Sequence, residues 1–405
     1  LRNNIAFATS AGITKGEDSV KEVYTEIVAP LVAKKPLIES LEVIGAYRFT
    51  DYDSYDTNST WKATIDWRIT PQFRFVAISG TSYRAPALFE LFLGDQTGFL
   101  GQAAIDPCRN WGQSSNTTLR DRCQADLVPA DYTAAGTSSA TVFTGGGAGN
   151  LKEEESRSDI FSFVYTPTNI DLNLRVDAWK ISVTDQVAQF GAANIVAACY
   201  VDTTGRAASF CPLFTRDKNP TSLRFNQILT VQNNYVNINV TEIEGIDLRA
   251  LYRKDFAFGD LSINTQHRWT TQNESGLFSD TVLIDDAGRI GEPIYNSTTQ
   301  VQFRRKDWTY AWTVDAVGQT NQTTVADRVT VAPGTFFAYT GASTLLFKTK
   351  TETTITHDLS VQYRTDNWTL VGGVSNVFNE EPPAISTGVF FARLGESPLV
   401  SQYDI

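Results

Sequence analysis

Apolar and polar residues alternate along most of this chain. From Trp61 the apolar set is Trp61, Ala63, Ile65, Trp67 and Ile69, interleaved with Lys62, Thr64, Asp66 and Arg68. From Trp308 it is Trp308, Tyr310, Trp312, Val314 and Ala316, against Thr309, Ala311, Thr313 and Asp315. Ile246, Leu248, Ala250 and Tyr252 alternate with Asp247, Arg249 and Leu251, and Leu359, Val361 and Tyr363 with Ser360, Gln362 and Arg364. A period of two gives strands with one apolar face and one wet face. The pattern predicts about thirteen strands, over 1–12, 17–31, 40–52, 58–70, 73–83, 157–166, 171–190, 226–253, 259–273, 296–305, 307–320, 347–363 and 367–378. No long segment has a helical period, and the short helix candidates are Pro86–Phe92 and Ala192–Ala198.

The connections alternate as well. Short polar turns fall at Lys34-Lys35-Pro36, Thr70-Pro71-Gln72, Thr166-Pro167-Thr168, Lys254-Asp255, Lys306-Asp307 and Thr365-Asp366. Between them lie long stretches rich in Gly, Ser, Thr, Asn and Asp, over 84–157, 190–225, 274–295 and 321–347. Short turns on one side and long loops on the other are the arrangement of an outer-membrane barrel; a compact soluble domain rarely tolerates such loops. The segments at 171–190 and 226–253 exceed the mean globular strand of about 5–6 residues and suit a tilted crossing of about 9–11. Aromatic residues flank the short turns: Trp67 with Phe73, Trp308 with Tyr310, Tyr363 with Trp368. That is the placement of an interfacial girdle. The expected fold is all-β, a transmembrane antiparallel β-barrel. An odd strand number does not close as a bacterial barrel, and open edges are not viable in lipid, so further strands are expected before 1 and after 405. The absence of Met from 405 residues points to a partial sequence as well.

Composition narrows the function. Acidic residues outnumber basic ones 45 to 34 and the sequence pI is about 4.8. That excludes the basic footprint of a nucleic-acid binder and a polybasic docking patch for anionic lipid. Aromatic residues at 12% argue against disorder. No run of eighteen apolar residues predicts a transmembrane helix, and Leu1-Arg2-Asn3-Asn4 does not open a signal peptide. Four cysteines form two close pairs, Cys108 with Cys123 and Cys199 with Cys211, in polar loop stretches without metal-type spacing. They predict two local disulfides in an oxidising compartment.

Nothing predicts an enzyme, a cofactor or a metal. The two histidines, His267 and His357, sit singly in strands, and Gly145-Gly146-Gly147 lacks the Lys-Ser/Thr of a phosphate loop. Asp51, Asp53 and Asp56 lack the Gly and terminal Glu of a calcium loop. Seven N-x-S/T sequons, including Asn58, Asn116, Asn239, Asn296 and Asn367, are expected by chance in an Asn- and Thr-rich chain. The large loops do carry candidate ligand-binding aromatics: Trp111, Tyr132, Phe143, Phe336, Phe337, Tyr339, Phe390 and Phe391, with Phe278 beside them. Aromatic faces with Asn, Asp and Glu edges suit a sugar ring or a catechol-like group.

Several motifs carry a family resemblance. Thr81-Ser82-Tyr83-Arg84-Ala85-Pro86-Ala87-Leu88-Phe89-Glu90-Leu91-Phe92 resembles the mid-barrel F-R-A-P-S-x-x-E-L-F signature of TonB-dependent receptors. Gly149-Asn150-Leu151-Lys152-Glu153-Glu154-Glu155-Ser156 is similar to that family's G-N-P-x-L-K-P-E-x-S stretch without its prolines. Glu244-Gly245-Ile246-Asp247-Leu248 resembles its G-x-E/D strand, and Asn376-Val377-Phe378-Asn379-Glu380-Glu381-Pro382-Pro383 its N-L-F-D/N-x-x-P-P motif. The resemblance implies a barrel of 22 strands around a plug. Residues 1–405 would then supply the ninth to the twenty-first strand, with the final strand beginning at Tyr403 and the plug and TonB box lying before Leu1. It implies uptake of a scarce solute, whether siderophore, oligosaccharide, peptide or vitamin, driven by the TonB–ExbB–ExbD complex. Outer-membrane lipid and lipopolysaccharide would surround the barrel, and an accessory surface lipoprotein is a further conceivable partner. The rival readings are a passive porin or surface-binding barrel and a secreted all-β adhesin.

Overall fold

The computed structural model describes residues 9–55, 57–134, 138–278, 281–321, 328–330, 344–346 and 349–383. Its main body is one antiparallel sheet of thirteen strands. Twelve of them form a continuous wall in which each strand pairs with the next along the chain: β1 (Val20–Lys35), β2 (Ile38–Tyr52), β3 (Asn58–Arg68), β4 (Phe73–Arg84), β5 (Glu154–Tyr165), β6 (Asp171–Thr184), β7 (Val240–Phe256), β8 (Gly259–Gly276), β9 (Tyr295–Arg305), β10 (Trp308–Val317), β11 (Thr354–Arg364) and β12 (Thr369–Val374). The thirteenth, Ile284–Asp285, pairs with the upper end of β8.

Of the strand predicted over 1–12, residues 1–8 lie outside the described residues and 9–12 form no wall strand. From 9 to 19 the chain makes a single bridge, Ala11 with Gln96, and no wall strand. Two long predicted strands are broken as well. Asp185 and Asn239 adopt positive φ, 55° and 36°, which these short polar side chains tolerate. The β6–β7 hairpin bends there and continues as a small ribbon of Val187–Gln189 against Tyr235–Asn237. The bend carries the chain off the wall and into the upper loops.

The alternation read from the sequence is the two-faced wall. Trp61, Ile65 and Trp67 of β3, Phe73 and Phe75 of β4, Ile246 of β7, and Trp308, Tyr310 and Trp312 of β10 are exposed on the outer face. Thr64, Ser162, Asp177 and Asp247 lie buried on the inner face. Register runs unbroken across strands, so Ala77, Phe161, Ala178 and Ile246 form one outer row. Short turns close β1–β2, β3–β4, β5–β6, β7–β8, β9–β10 and β11–β12 on one side. Aromatics gather there as expected: Phe73 stacks on Tyr165 with centroids 4.9 Å apart, and Trp308 lies 4.6 Å from Tyr363. The Trp67 indole N–H reaches back to the Leu37 carbonyl.

Both predicted helix candidates form, as Leu88–Phe92 and Ala192–Val201. No helix among the described residues is long and apolar enough to cross a membrane, which bears on helices alone.

Candidate ligand site at the mouth of the wall

On the side opposite the short turns, the loops over 85–153 and 185–239 fold together into a cap. Its four-stranded sheet runs Phe214–Arg216, Ile228–Gln232, Ser139–Thr144, Gln96–Gly101. The two loops join through a parallel pairing of Thr230–Gln232 with Thr141–Phe143. Behind the sheet lies a hydrophobic core that includes Ile105, Val128, Ala140, Ile195, Val196, Ile228 and Val231. Both predicted disulfides are present, Cys108–Cys123 and Cys199–Cys211, and both are packed at this core. Each closes a loop within one segment, 15 and 12 residues apart. Loops of this size contribute about 3 kcal/mol each in the chain-entropy account.

Polar contacts lock the two loops to each other. Gln102 Nε2 donates to the Ile228 carbonyl at 2.7 Å, and the Ile228 N–H returns to Gln102 Oε1 at 2.9 Å. Arg122 donates to the carbonyls of Cys199 and Asp202. Arg216 makes two hydrogen bonds to Asp106, at 2.6 and 2.9 Å, with side chains 2% and 0% exposed. Burial pulls the Arg216 guanidinium downward, but the Asp106 carboxylate more than offsets it, and the group is held above its ordinary range. Tyr132, packed at the edge of the same core, is pushed up to about 12 by burial, with the Asp106 charge acting in the same direction.

The cap also engages neighbouring connections. Phe278, between β8 and the strand at Ile284–Asp285, packs on Phe190 and Phe210, and the Arg206 guanidinium lies 4.1 Å from its ring centre. Ser10 and Thr97 exchange backbone and side-chain hydrogen bonds. Where cap meets wall, a concavity of about 580 Å³ is lined by Arg206, Phe278, Thr241, Ser275, Leu277 and Ile284. Its volume is within the usual 300–1,000 Å³ of small-molecule sites, and its mix of apolar surface with one cation suits an organic anion or metal chelate.

The inner wall below is lined by ion pairs. Asp177 and Asp247 face each other in register, each 6% exposed. Arg175 and Ser162 hold the first; Arg268, by two hydrogen bonds of 2.9 Å, and the Trp179 indole hold the second. Each carboxylate thus has its own guanidinium, and the pairs leave a bore surface of both signs. The arrangement wets this level of the passage with charge, while Ile78, Ile160 and Trp179 stand in the inner row above it.

The predicted ligand-binding aromatics separate into groups. Trp111 is 8% exposed inside the cap core, with its indole N–H on the Val128 carbonyl. Tyr132 packs against that core, and Phe143 stands on the central cap strand. Phe336, Phe337, Tyr339, Phe390 and Phe391 lie outside the described residues. Arg206 and Asp177 were not singled out from the sequence, whereas Asp247 is the acidic position of the Gly245-Ile246-Asp247 motif. For the two aspartates a signal existed, since both stand at wet positions in strands of period two.

The family described as TonB dependent receptor-like, beta-barrel matches residues 33–377. Among solved structures, the siderophore receptor PirA from Acinetobacter baumannii is similar with a TM-score of 0.53 at 12% identity, covering 90% of this chain and 43% of its own. A variant of the ferric enterobactin receptor PfeA from Pseudomonas aeruginosa gives 0.53 at 14% identity, over 89% and 40%. The outer membrane transporter YddB from Escherichia coli gives 0.50 at 11%, over 90% and 42%. At these identities the likeness is one of fold. The chain spans about two fifths of the length of these structures.

Proposed function

We propose, from the premise that the chain belongs to the TonB-dependent receptor-like β-barrel family, that it supplies barrel wall and extracellular cap to an outer-membrane receptor for active uptake of a scarce solute. The observation that carries this is the conjunction of a wall apolar outside and ion-paired inside with a cap stapled over one end. A barrel that only leaks solute has little use for a loop cap with its own core. The reading assigns energy coupling to a plug and a TonB-contacting segment supplied by the rest of a receptor of the matched length. It places the protein in the outer membrane of a Gram-negative bacterium, as a transporter without catalytic groups.

For the solute we favour a ferric chelate. Two of the similar structures are named as siderophore and ferric enterobactin receptors, and the concavity at Arg206 and Phe278 pairs a cation with aromatic surface. Tyr132 and Phe143 of the cap, with Phe336, Phe337, Tyr339, Phe390 and Phe391, are proposed to complete the grip. Trp111 would act beneath them by holding the cap in shape.

The test is uptake by cells of the source bacterium with and without the gene. Iron starvation should raise expression. Deletion should abolish entry of a radiolabelled ferric chelate, and a protonophore should stop entry in the parent. Entry that persists under the protonophore would turn the reading to a passive porin. Induction by a glycan rather than by iron starvation would replace the chelate with a carbohydrate.

A further inference from the structure

The two disulfides of the cap have different surroundings. Cys108 and Cys123 are each 0% exposed inside the core. Cys199 is 7% exposed, Cys211 is half-buried, and both line an open cavity of about 500 Å³. Cys199 sits in the last turns of the helix Ala192–Val201, and Cys211 begins the short turn Cys211–Leu213. One bond is thus sealed in the core, and the other stands at the wall of a cavity that a small molecule can enter.

The cavity is electropositive. Arg122, Arg216 and Lys218 line it. Against these three cations stand two carboxylates, Asp126 on the lining and Asp106 behind Arg216. Asp126 is already taken up by Lys218 at 2.5 Å, by Arg216 Nε at 3.1 Å and by the Tyr200 hydroxyl. Arg122 reaches Cys199 itself, donating from Nη1 to its carbonyl at 2.8 Å. Positive surroundings draw anions and stabilise a thiolate over a thiol.

We propose that Cys199–Cys211 is an exchange site for a small anionic thiol, one that carries a carboxylate or a sulfonate. The thiolate enters the cavity and attacks Cys211 Sγ, the more exposed sulfur. A new bond forms between the two sulfurs, the Cys199–Cys211 bond breaks, and its electron pair leaves on Cys199 Sγ as a thiolate beside Arg122. One thiolate and one disulfide give one thiolate and one mixed disulfide, so no further oxidant or reductant is required. Attack by Cys199 on the mixed disulfide reverses the step. Cys108–Cys123 gives an incoming thiolate no access.

The exchange acts on the loop that the bond closes. Within it, Phe210 stacks on Phe190 with centroids 4.9 Å apart and lies 6.2 Å from Phe278, and Arg206 lies 4.1 Å from the Phe278 ring centre. Opening the bond therefore loosens the support of the concavity at Arg206 and Phe278. That consequence rests on the proposed solute site. The exchange itself does not, and it is read without solute, so either can fail alone.

The whole receptor, purified in mild detergent, is incubated with mercaptoethanesulfonate or with cysteamine at equal thiolate concentration, and adducts are mapped by peptide mass spectrometry. Each rate is taken relative to that of the same thiol on an unstructured peptide disulfide, which cancels intrinsic nucleophilicity. The sulfonate should add at Cys211 about tenfold faster than cysteamine, the scale of a single nearby charge in water. Lys218→Gln should reduce that advantage to about threefold. Cys108 and Cys123 should stay unmodified over the same time, and amide hydrogen exchange of the adduct should quicken in Ala207–Leu213 and at Phe278. Equal modification of the two disulfides overturns the proposal, as does an adduct on Cys199 alone. Equal relative rates for the two thiols, or an unchanged preference in K218Q, would remove the cavity as the docking site. Unchanged amide exchange at Phe278 would break the link to the concavity.

Discussion

Arg216→Met is expected to loosen the cap by about 3–5 kcal/mol, the cost of removing one partner of a buried ion pair. The substitution leaves the Asp106 carboxylate wholly enclosed, with the Cys108 N–H as its remaining hydrogen-bond donor. It also removes the guanidinium from the Tyr200 hydroxyl and the Asn226 carbonyl. Because Asp106 belongs to one loop and Arg216 to the other, the damage falls on their union. Amide hydrogen exchange should quicken in Ser139–Thr144 and Ile228–Gln232, the parallel pair that joins the loops, and stay unchanged in β7 and β8. The double variant Arg216→Met with Asp106→Leu should recover most of the loss, since apolar replacement of a whole buried pair is often neutral or stabilising. Unchanged exchange in the single variant would mean that the cap is held together elsewhere.

The second large effect concerns the wall. Ala250→Arg puts a charge on the outer face of β7 midway between Ile246 and Phe256, and should destabilise the inserted protein by about 2–4 kcal/mol, as for other charges at a bilayer midplane. Gln300→Arg, on the inner face of β9, should change stability by less than the scatter of denaturant titrations. Register places Gln300 beside Asn264 and Thr313, facing the bore. Both variants add the same group to half-buried strand positions, so burial alone predicts equal costs. A difference arises only if one side is lipid.

The wall was legible because its signal is local and repeated. β3, β7, β10 and β11 carry the period of two in their own residues, and the turns at Lys306-Asp307 and Thr365-Asp366 mark their own ends. The exceptions have local causes too. Asp185 and Asn239 look like strand interior in a pattern of apolar alternation, yet both take the left-handed conformation that bends β6 and β7 into the cap. The cap itself was hidden. Its strands are three to six residues long, and Thr230 pairs with Thr141 across 89 positions of sequence. Nothing short-range announces a parallel pair between two loops.

Cysteine spacing gave both staples, because a disulfide of 15 or 12 residues is a near-neighbour event. Loop aromatics were ambiguous for the opposite reason. Trp111 reads like a ligand platform until Val128 and Cys123 are found packed with it in the cap core. Arg216 and Asp106 carried no signal at all, since 110 residues separate them and each looks like a solvated loop charge.

In a membrane-spanning wall β7 shows lipid and water by turns. Single nitroxide labels at 246 through 252 of the reconstituted receptor test it most directly, and the native cysteines do not interfere, because among the described residues none is free. Collision with oxygen, which concentrates in hydrocarbon, should peak at 246, 248, 250 and 252. Collision with a polar nickel chelate should peak at 247, 249 and 251. Equal access of the nickel chelate to all seven positions would contradict a membrane-spanning wall.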